Sequence, residues 1–145
     1  MWQPVSVCYL LIIPAQVTFM TQTALVVDDS MLIRHTVCRY LEEQGFQVES
    51  ATNGADALEM LNSIEPDMII TDLQMPRMDG RQLIDALKAR PATANIPIVI
   101  LAGKKSSTES DTEKRADYEI FKDIDITEQL QRALEKVLHR PVSST

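Results

Sequence analysis

Cysteine and positive charge are both scarce in this chain of 145 residues, and each shortage excludes a class of protein. The two cysteines, Cys8 and Cys38, have neither metal-ligand nor disulfide-framework spacing, so we expect a reducing compartment, the cytoplasm. The net charge of −7 disfavours direct binding of nucleic acid, which needs a basic face. The hydrophobic share of 45% and the charged share of 24% are ordinary globular values, and the length suits one domain with a buried core.

The first 27 residues contain no charged side chain, and we separate residues 1–21 as an extension. Its apolar run, residues 9–13, lacks the basic start and cleavage site of a secretory signal. Pro4 and Pro14 interrupt the run well short of the roughly 20 apolar residues of a membrane span, so no membrane partner is expected. Three interpretations stay open: a vestigial or wrongly assigned start before Met20, a cloning or upstream-frame artefact, and a native extension that docks on the domain or on a second copy.

Five short apolar runs in the rest of the chain predict strands. Four of them are mostly apolar throughout: Ala24–Val27, Met68–Ile70, Ile98–Leu101 and Tyr118–Phe121. The fifth, Gln47–Ala51, alternates as a strand with one exposed face or an edge strand would.

Helical stripes fill most of the intervals between these runs. The stripes cover Leu32–Leu41, Leu58–Ile64, Leu83–Leu87 and Leu130–Leu138. The predicted helix ends are Gly45, Pro66 and Pro91, and the predicted N-caps are Asn53 and either Asp125 or Thr127. Alternation of strands with helices predicts the α/β class, a parallel sheet with helices on both faces.

One interval departs from this pattern. Residues 103–117, between the fourth and fifth predicted strands, contain Ala116 as their only apolar residue. A helix there would have no apolar face to bury, so tertiary packing could not stabilise it. We predict that the fourth helix of the domain is short or frayed, or is replaced by a loop.

Charged residues follow three of the predicted strands. Asp28 and Asp29 come after the first strand, Asp72 after the third and Lys122 after the fifth. Because ligands of doubly wound sheets bind at the carboxyl ends of the strands, these side chains are expected to meet at one edge. Neighbouring carboxylates repel unless a cation neutralises them, and Mg²⁺ suits carboxylates, water and phosphate oxygens. If Asp28 and Asp29 merely capped the first helix, Asp72 and Lys122 would be left unexplained.

This ordered set resembles the receiver domain of two-component response regulators, of the stand-alone chemotaxis type. The resemblance lies in residues 27–30 with Arg34, in Asp72 followed by residues 75–80, and in Lys122. It covers about residues 22–140, which we predict to be the receiver domain, and leaves 141–145 as a polar tail. It implies a five-stranded, doubly wound, flavodoxin-like sheet of order 2-1-3-4-5.

The resemblance also implies roles for the residues at the predicted edge. Asp72 would accept a phosphoryl group from a histidine kinase or a histidine phosphotransfer protein. Asp29, Asp72 and the main-chain carbonyl of Gln74 would ligate Mg²⁺, and Asp28 would bind it through water. Lys122 would pair with the carboxylate and then with the phosphoryl oxygens. Such a chain is a phosphoacceptor that assists its own phosphorylation and at most dephosphorylates itself slowly; it is not a turnover enzyme.

Other residues are assigned lesser roles. Gln74 and Lys104 lie where water would attack a phosphorylated acceptor, so they would tune dephosphorylation. The turn over residues 75–80 would hold the active loop, with Gly80 supplying the permissive backbone. The sequence after the last helical stripe includes no helix-turn-helix, so we expect output through a protein partner. His35 is expected to be a surface or packed residue.

Several positions depart from the family pattern. Ala102 stands where the family has a serine or threonine, and the lost hydrogen bond to a charged group would be worth about 1.5–3 kcal/mol. Glu119 replaces the family's switch aromatic, and its neighbour Tyr118 faces the opposite way on a strand. Asp123 replaces a proline that is usually cis, which makes a cis bond there improbable. We therefore predict retained phosphoacceptor chemistry with atypical output coupling.

Two alternatives remain on the sequence alone. The changes at Ala102 and Glu119 also suit a degenerate receiver-like interaction module that is not phosphorylated. A phosphohydrolase of the haloacid dehalogenase type also uses an aspartyl nucleophile and Mg²⁺. That family has Asp-x-Asp after its first strand, whereas Asp28 and Asp29 are adjacent here.

Overall fold

The computed structural model describes residues 21–103 and 115–138, which form five strands and four helices. The strands are β1 (Thr23–Val27), β2 (Gln47–Ala51), β3 (Met68–Asp72), β4 (Ile98–Ala102) and β5 (Tyr118–Phe121). The helices are α1 (Met31–Glu43), α2 (Gly54–Met60), α3 (Gly80–Ala89) and α4 (Ile126–Val137). Our predictions for residues 1–20, for Lys104 and most of the polar interval, and for residues 141–145 fall outside the described residues.

All five strands are parallel and lie in the order β2-β1-β3-β4-β5, which confirms the predicted class and strand order. The alternating strand β2 lies at one edge of the sheet, as its pattern indicated. The strand register brings the carboxyl ends together, since Val27 pairs with Thr71, Asp72 with Leu101 and Ala102 with Phe121. Every residue that directly follows one of these strands is therefore near the same edge.

Helices cover both faces of the sheet, because successive side chains along each buried strand point to opposite sides. Val26, Ile70 and Val99 pack on one face with Leu41 of α1 and Leu134 of α4. Their strand neighbours Leu25, Ile69 and Ile98 pack on the other face with Leu83 and Leu87 of α3 and with Ala57 of α2. The continuous apolar runs predicted from the sequence thus supply two cores. No helix among the described residues is long and apolar enough to cross a membrane.

Helix boundaries follow the predicted signals with two corrections. The Asn53 side chain caps α2, Gly45 follows α1 at a positive φ of 92°, and Asp125 rather than Thr127 caps α4. The second helix ends at Met60, before the Pro66 that we took as its end. Leu32, which we placed on the buried stripe of α1, is 73% exposed.

Candidate functional site

Three side chains meet at the carboxyl edge of the sheet because of where their strands end. Asp28 directly follows β1, Asp72 is the last residue of β3, and Lys122 directly follows β5. The ammonium of Lys122 lies 2.9 Å from Asp28 Oδ2 and 3.0 Å from Asp72 Oδ2. Asp28 is fully buried and Asp72 is 7% exposed, whereas Asp29 is exposed. The predicted cluster of three carboxylates and one ammonium is therefore present in the fold.

The start of α1 holds Asp28 in place through its backbone and side chain. The Ser30 N–H donates to Asp28 Oδ1 at 2.8 Å, and Ser30 itself caps α1. Arg34, one turn into the helix, donates from Nη1 to the Asp28 carbonyl oxygen at 2.8 Å. The resemblance included Arg34 without a role, and the structure gives it one: it orients the segment that carries both acidic residues.

The cluster has three carboxylates and one ammonium, so it is short of positive charge. Burial raises the pKa of Asp28, an effect that Lys122 and the Ser30 N–H oppose and the charge of Asp72 increases. Burial also disfavours the charged form of Lys122, but its attraction to the carboxylates of Asp28 and Asp72 outweighs burial and raises its pKa. Asp28 Oδ2 touches the ammonium, yet it accepts no well-aligned hydrogen bond from the described residues. A buried carboxylate oxygen is thus left with unused lone pairs.

The same oxygens meet the requirements of a divalent cation. One carboxylate oxygen each from Asp28, Asp29 and Asp72 can be chosen so that all three lie within 4.8 Å of one another. Hard cations such as Mg²⁺ prefer oxygen ligands and keep several waters, for which the exposed Asp29 leaves an open side. Asp28 Oδ2, which has lone pairs to spare beside the ammonium, and the all-oxygen set fit such an ion.

The loop after Asp72 is packed tightly against the start of α3. The Gln74 N–H donates to Asp72 Oδ1 at 3.3 Å, and the Gly80 N–H donates to the Leu73 carbonyl oxygen at 2.8 Å. A Cβ on Gly80 would lie 2.2 Å from the Asp72 carbonyl oxygen. We expected Gly80 to supply backbone freedom, but the positive φ in this loop belongs to Arg77, at 66°. Gly80 is needed because two backbone segments approach closely.

Asp79 fixes the same loop from the other side, a function that we did not predict. Its carboxylate accepts from the Gln82 N–H at 2.9 Å, while Gln82 Oε1 accepts from the Asp79 N–H at 3.0 Å. This reciprocal capping box starts α3 immediately after the loop. The signal was present in the sequence as Asp-x-x-Gln ahead of an apolar stripe.

The positions that depart from the resemblance, Ala102, Glu119 and Asp123, lie at or just after β4 and β5. Ala102 is half-buried at the end of β4, and its carbonyl oxygen accepts from the Lys122 N–H at 2.8 Å. Glu119 is half-buried in β5, where burial raises its pKa and Arg81 opposes that rise. Tyr118 packs against the α1–α4 core. No cis peptide bond occurs among the described residues, so the Lys122–Asp123 bond is trans as expected.

Three large apolar side chains are exposed beside the site. Met31 (71% exposed) and Leu32 directly follow the segment with Asp28 and Asp29, and Ile124 (47% exposed) is two residues after Lys122. Exposed apolar groups that border a polar site are typical of a surface that another protein covers. We refer to Met31, Leu32 and Ile124 as the apolar rim.

Comparison with known proteins identifies the family of this fold and site. The family model for the response regulator receiver domain matches residues 24–135. The response regulator MprA of Mycobacterium ulcerans (strain Agy99) is 38% identical over 90 residues, which make up 62% of this chain and 38% of that protein. The chain spans less than half the length of curated relatives it matches.

Solved structures give the same result over nearly their full length. The chemotaxis response regulator CheY4 of Vibrio cholerae is 30% identical, with a TM-score of 0.74 over 81% of this chain and 99% of that chain. The N-terminal domain of a response regulator receiver protein from Methanoculleus marisnigri JR1 is 36% identical, with a TM-score of 0.64 over 82% and 98%. These matches favour the receiver interpretation over the phosphohydrolase alternative.

Proposed function

The chain belongs to the family of response regulator receiver domains, and we propose that it accepts a phosphoryl group on Asp72 from a histidine kinase or a histidine phosphotransfer protein. The observation that carries the proposal is the contact that Lys122 makes with both Asp72 and Asp28. This contact places the Lys122 ammonium beside the Asp72 carboxylate at the carboxyl edge of the sheet. The chain acts in this proposal as a phosphoacceptor with at most slow self-dephosphorylation.

The transfer needs positioning and charge neutralisation more than covalent chemistry by the protein. A carboxylate oxygen of Asp72 attacks the phosphorus of phosphohistidine, and an O–P bond forms as the P–N bond breaks. The electron pair of the P–N bond stays on the imidazole nitrogen, which takes up a proton. The Lys122 ammonium then pairs with the phosphoryl oxygens in place of the Asp72 carboxylate.

We assign Mg²⁺ to the acidic cluster as the cofactor. Asp29, Asp72 and the main-chain carbonyl of Gln74 would ligate it, with Asp28 contributing through water. When bound, the ion neutralises charge on the carboxylates and on the incoming phosphoryl group. The side chains of Gln74, which is exposed after Asp72, and of Lys104 would tune dephosphorylation.

The partners follow from the surroundings of the site. The apolar rim supports docking of a phosphodonor protein, because its exposed side chains closely follow Asp29 and Lys122 in the chain and contact would bury them. Output would pass to a protein effector, with no direct nucleic-acid contact, in the cytoplasm. The coupling would be atypical because Ala102 offers no hydroxyl to a phosphoryl oxygen and Glu119 is not aromatic.

A second candidate, an interaction module that is not phosphorylated, is favoured by the same two positions, Ala102 and Glu119. It differs from the first candidate in needing neither Mg²⁺ nor a reactive Asp72. The two candidates therefore predict opposite results in a single experiment.

That experiment incubates the full chain with acetyl phosphate, with and without Mg²⁺, and follows intact mass. We expect a gain of one phosphoryl group that requires Mg²⁺ and is absent in Asp72→Asn. The control is Asp85→Asn, which alters an exposed aspartate on α3 and should be labelled as the wild type is. Absence of a gain in every arm, under conditions that label a known receiver domain, would support the interaction module instead.

A further inference from the structure

The loop that carries Lys122 is short and exposed. It consists of residues 122–124, between the end of β5 at Phe121 and Asp125, the N-cap of α4. Asp123 and Ile124 are both exposed, so little burial fixes their position. The reach of the Lys122 ammonium to the carboxylates therefore depends on how the two ends of this loop are held.

A single side chain on α4, that of Gln129, forms hydrogen bonds with the residues at both ends of this loop. The Phe121 N–H donates to Gln129 Oε1 at 2.9 Å, and Gln129 Nε2 donates to the Phe121 carbonyl oxygen at 2.8 Å. The same Nε2 donates to the Asp125 carbonyl oxygen at 3.2 Å. The half-buried amide of Gln129 thus uses its acceptor and its donor to join the residue before the loop to the residue after it.

Backbone bonds supply the remaining restraint on the loop. The Lys122 N–H donates to the Ala102 carbonyl oxygen at 2.8 Å, and the Ile124 N–H donates to the Phe121 carbonyl oxygen at 3.3 Å. Residue 123 is an aspartate, so no pyrrolidine ring fixes φ there. Phe121 is therefore the fixed residue from which Lys122 extends. The Gln129 amide is hydrogen-bonded to both the N–H and the carbonyl oxygen of Phe121.

We propose that Gln129 is a positioning residue for phosphoryl transfer, fixing through the backbone of Phe121 the place from which Lys122 reaches the acceptor carboxylate. This inference rests on the proposed function. Gln129 would act on the transfer step only through Lys122, because its contacts are with the loop ends and not with the acidic cluster. Its loss should therefore slow phosphorylation without altering the Mg²⁺ ligands.

The test compares Gln129→Met, which keeps a similar length without hydrogen bonds, with Gln129→Glu, which keeps the acceptor but loses the donor. Gln131→Met is the matched control, since Gln131 is a half-buried glutamine of the same helix. In Gln129→Met we expect the acetyl phosphate rate constant to fall by on the order of tenfold. We expect Mg²⁺ affinity to stay within about twofold, because Gln129 bonds to Phe121 and Asp125 and not to the ligand carboxylates. Phosphorylation of Gln129→Glu should be slowed at least as much as that of Gln129→Met, because its second carboxylate oxygen would face the Phe121 and Asp125 carbonyl oxygens that Nε2 now contacts.

Amide spectra of the folded variants provide the second measurement. The Phe121 and Lys122 amide signals should move in both Gln129 variants and stay in place in Gln131→Met. Unchanged phosphorylation rates in folded Gln129 variants, or an equal loss in the Gln131 control, would overturn the inference alone. A wild-type chain that takes up no phosphoryl group would overturn the proposed function as well. That outcome is distinguishable, because the wild type, both Gln129 variants and the Gln131 control would then all remain unphosphorylated.

Discussion

The β1–β3 side of the sheet edge and its β4–β5 side are built differently. On the β1–β3 side, Asp28 and Asp72 are buried and share the Lys122 ammonium. On the β4–β5 side stand the methyl group of Ala102 and the half-buried carboxyl of Glu119. The first region has the charged groups that acceptance of a phosphoryl group requires, whereas the second lacks the hydroxyl that would contact that group.

Under the proposed function, this difference would separate acceptance of a signal from its transmission. A bound group can shift a conformational equilibrium only through contacts that differ between the two states. The charged cluster can make such contacts near Asp72, but Ala102 supplies none at β4. Each of the following predictions tests whether the two regions are as independent as this comparison implies.

The largest effect is expected from Lys122→Met, since Lys122 is the one described side chain that joins β5 to the acidic cluster. The acetyl phosphate rate constant should fall on the order of a hundredfold, as is usual when one charge-stabilising donor is removed. Stopped-flow or quenched mass measurements give the rate. Lys136→Met, at an exposed position near the end of α4, should leave it unchanged. A Lys122 variant that is phosphorylated at the wild-type rate would contradict the assigned role.

The next effect contrasts two glycines, one in each region. Gly80→Ala should destabilise the fold by about 1–3 kcal/mol, because its Cβ would meet the Asp72 carbonyl oxygen. Gly103→Ala should change stability little, since a Cβ there would have none of the described residues within 4 Å. Urea unfolding of both variants measures the difference. Equal losses would mean that the β1–β3 side is not the more tightly packed of the two.

A hydroxyl placed at Ala102 should connect the two regions. In Ala102→Thr, affinity for beryllofluoride, a phosphoryl mimic, should rise by about tenfold, because a hydrogen bond to a charged group is worth about 1.5–3 kcal/mol. Amide shifts on binding, which we expect to be small at Glu119 in the wild type, should then reach that residue. Ala102→Val has the same branched shape without the hydroxyl and should do neither. Large shifts at Glu119 in the unaltered chain would show that the coupling was never lost.

The smallest effect concerns the pH dependence of stability through Glu119. Its pKa is raised in the folded state, so the folded state holds the proton more tightly and the ionised carboxyl costs stability above that raised pKa. The cost disappears as the pH falls through the raised pKa. Glu119→Gln should therefore stabilise the fold by less than about 0.5 kcal/mol near pH 7 and not at about pH 3. Urea unfolding at the two pH values measures this, and a loss of stability near pH 7 would contradict it.

Much of the fold was predictable because the pattern is local and repeated. Continuous apolar runs alternate with helical stripes, and that alternation restricts the sheet to a parallel arrangement. The charged residues of the site were predictable for the same reason, since Asp28, Asp72 and Lys122 each lie at or just after the end of a strand. The assignment of Asp72 as acceptor, by contrast, comes from the resemblance and stays a prediction.

The features that escaped prediction depend on how distant segments meet. The exposure of Leu32 depends on how α1 is turned against the sheet. The steric need for Gly80 comes from the approach of α3 to the end of β3. The bonds of Gln129 to Phe121 need α4 packed beside β5, and a glutamine on a helix gives no sign of them in the sequence. Periodicity reports which face is apolar, not which polar side chain will reach a neighbouring backbone.

Identification of the phosphorylated residue tests the central claim most directly. An acyl phosphate is reduced by borohydride to an alcohol, which would turn a phosphorylated aspartate into homoserine. The full chain, treated with acetyl phosphate and Mg²⁺, reduced and mapped by peptide mass spectrometry, should contain homoserine at position 72 and lose it when Mg²⁺ is chelated. Homoserine at another aspartate, or none at position 72 while Mg²⁺ is bound, would contradict the account.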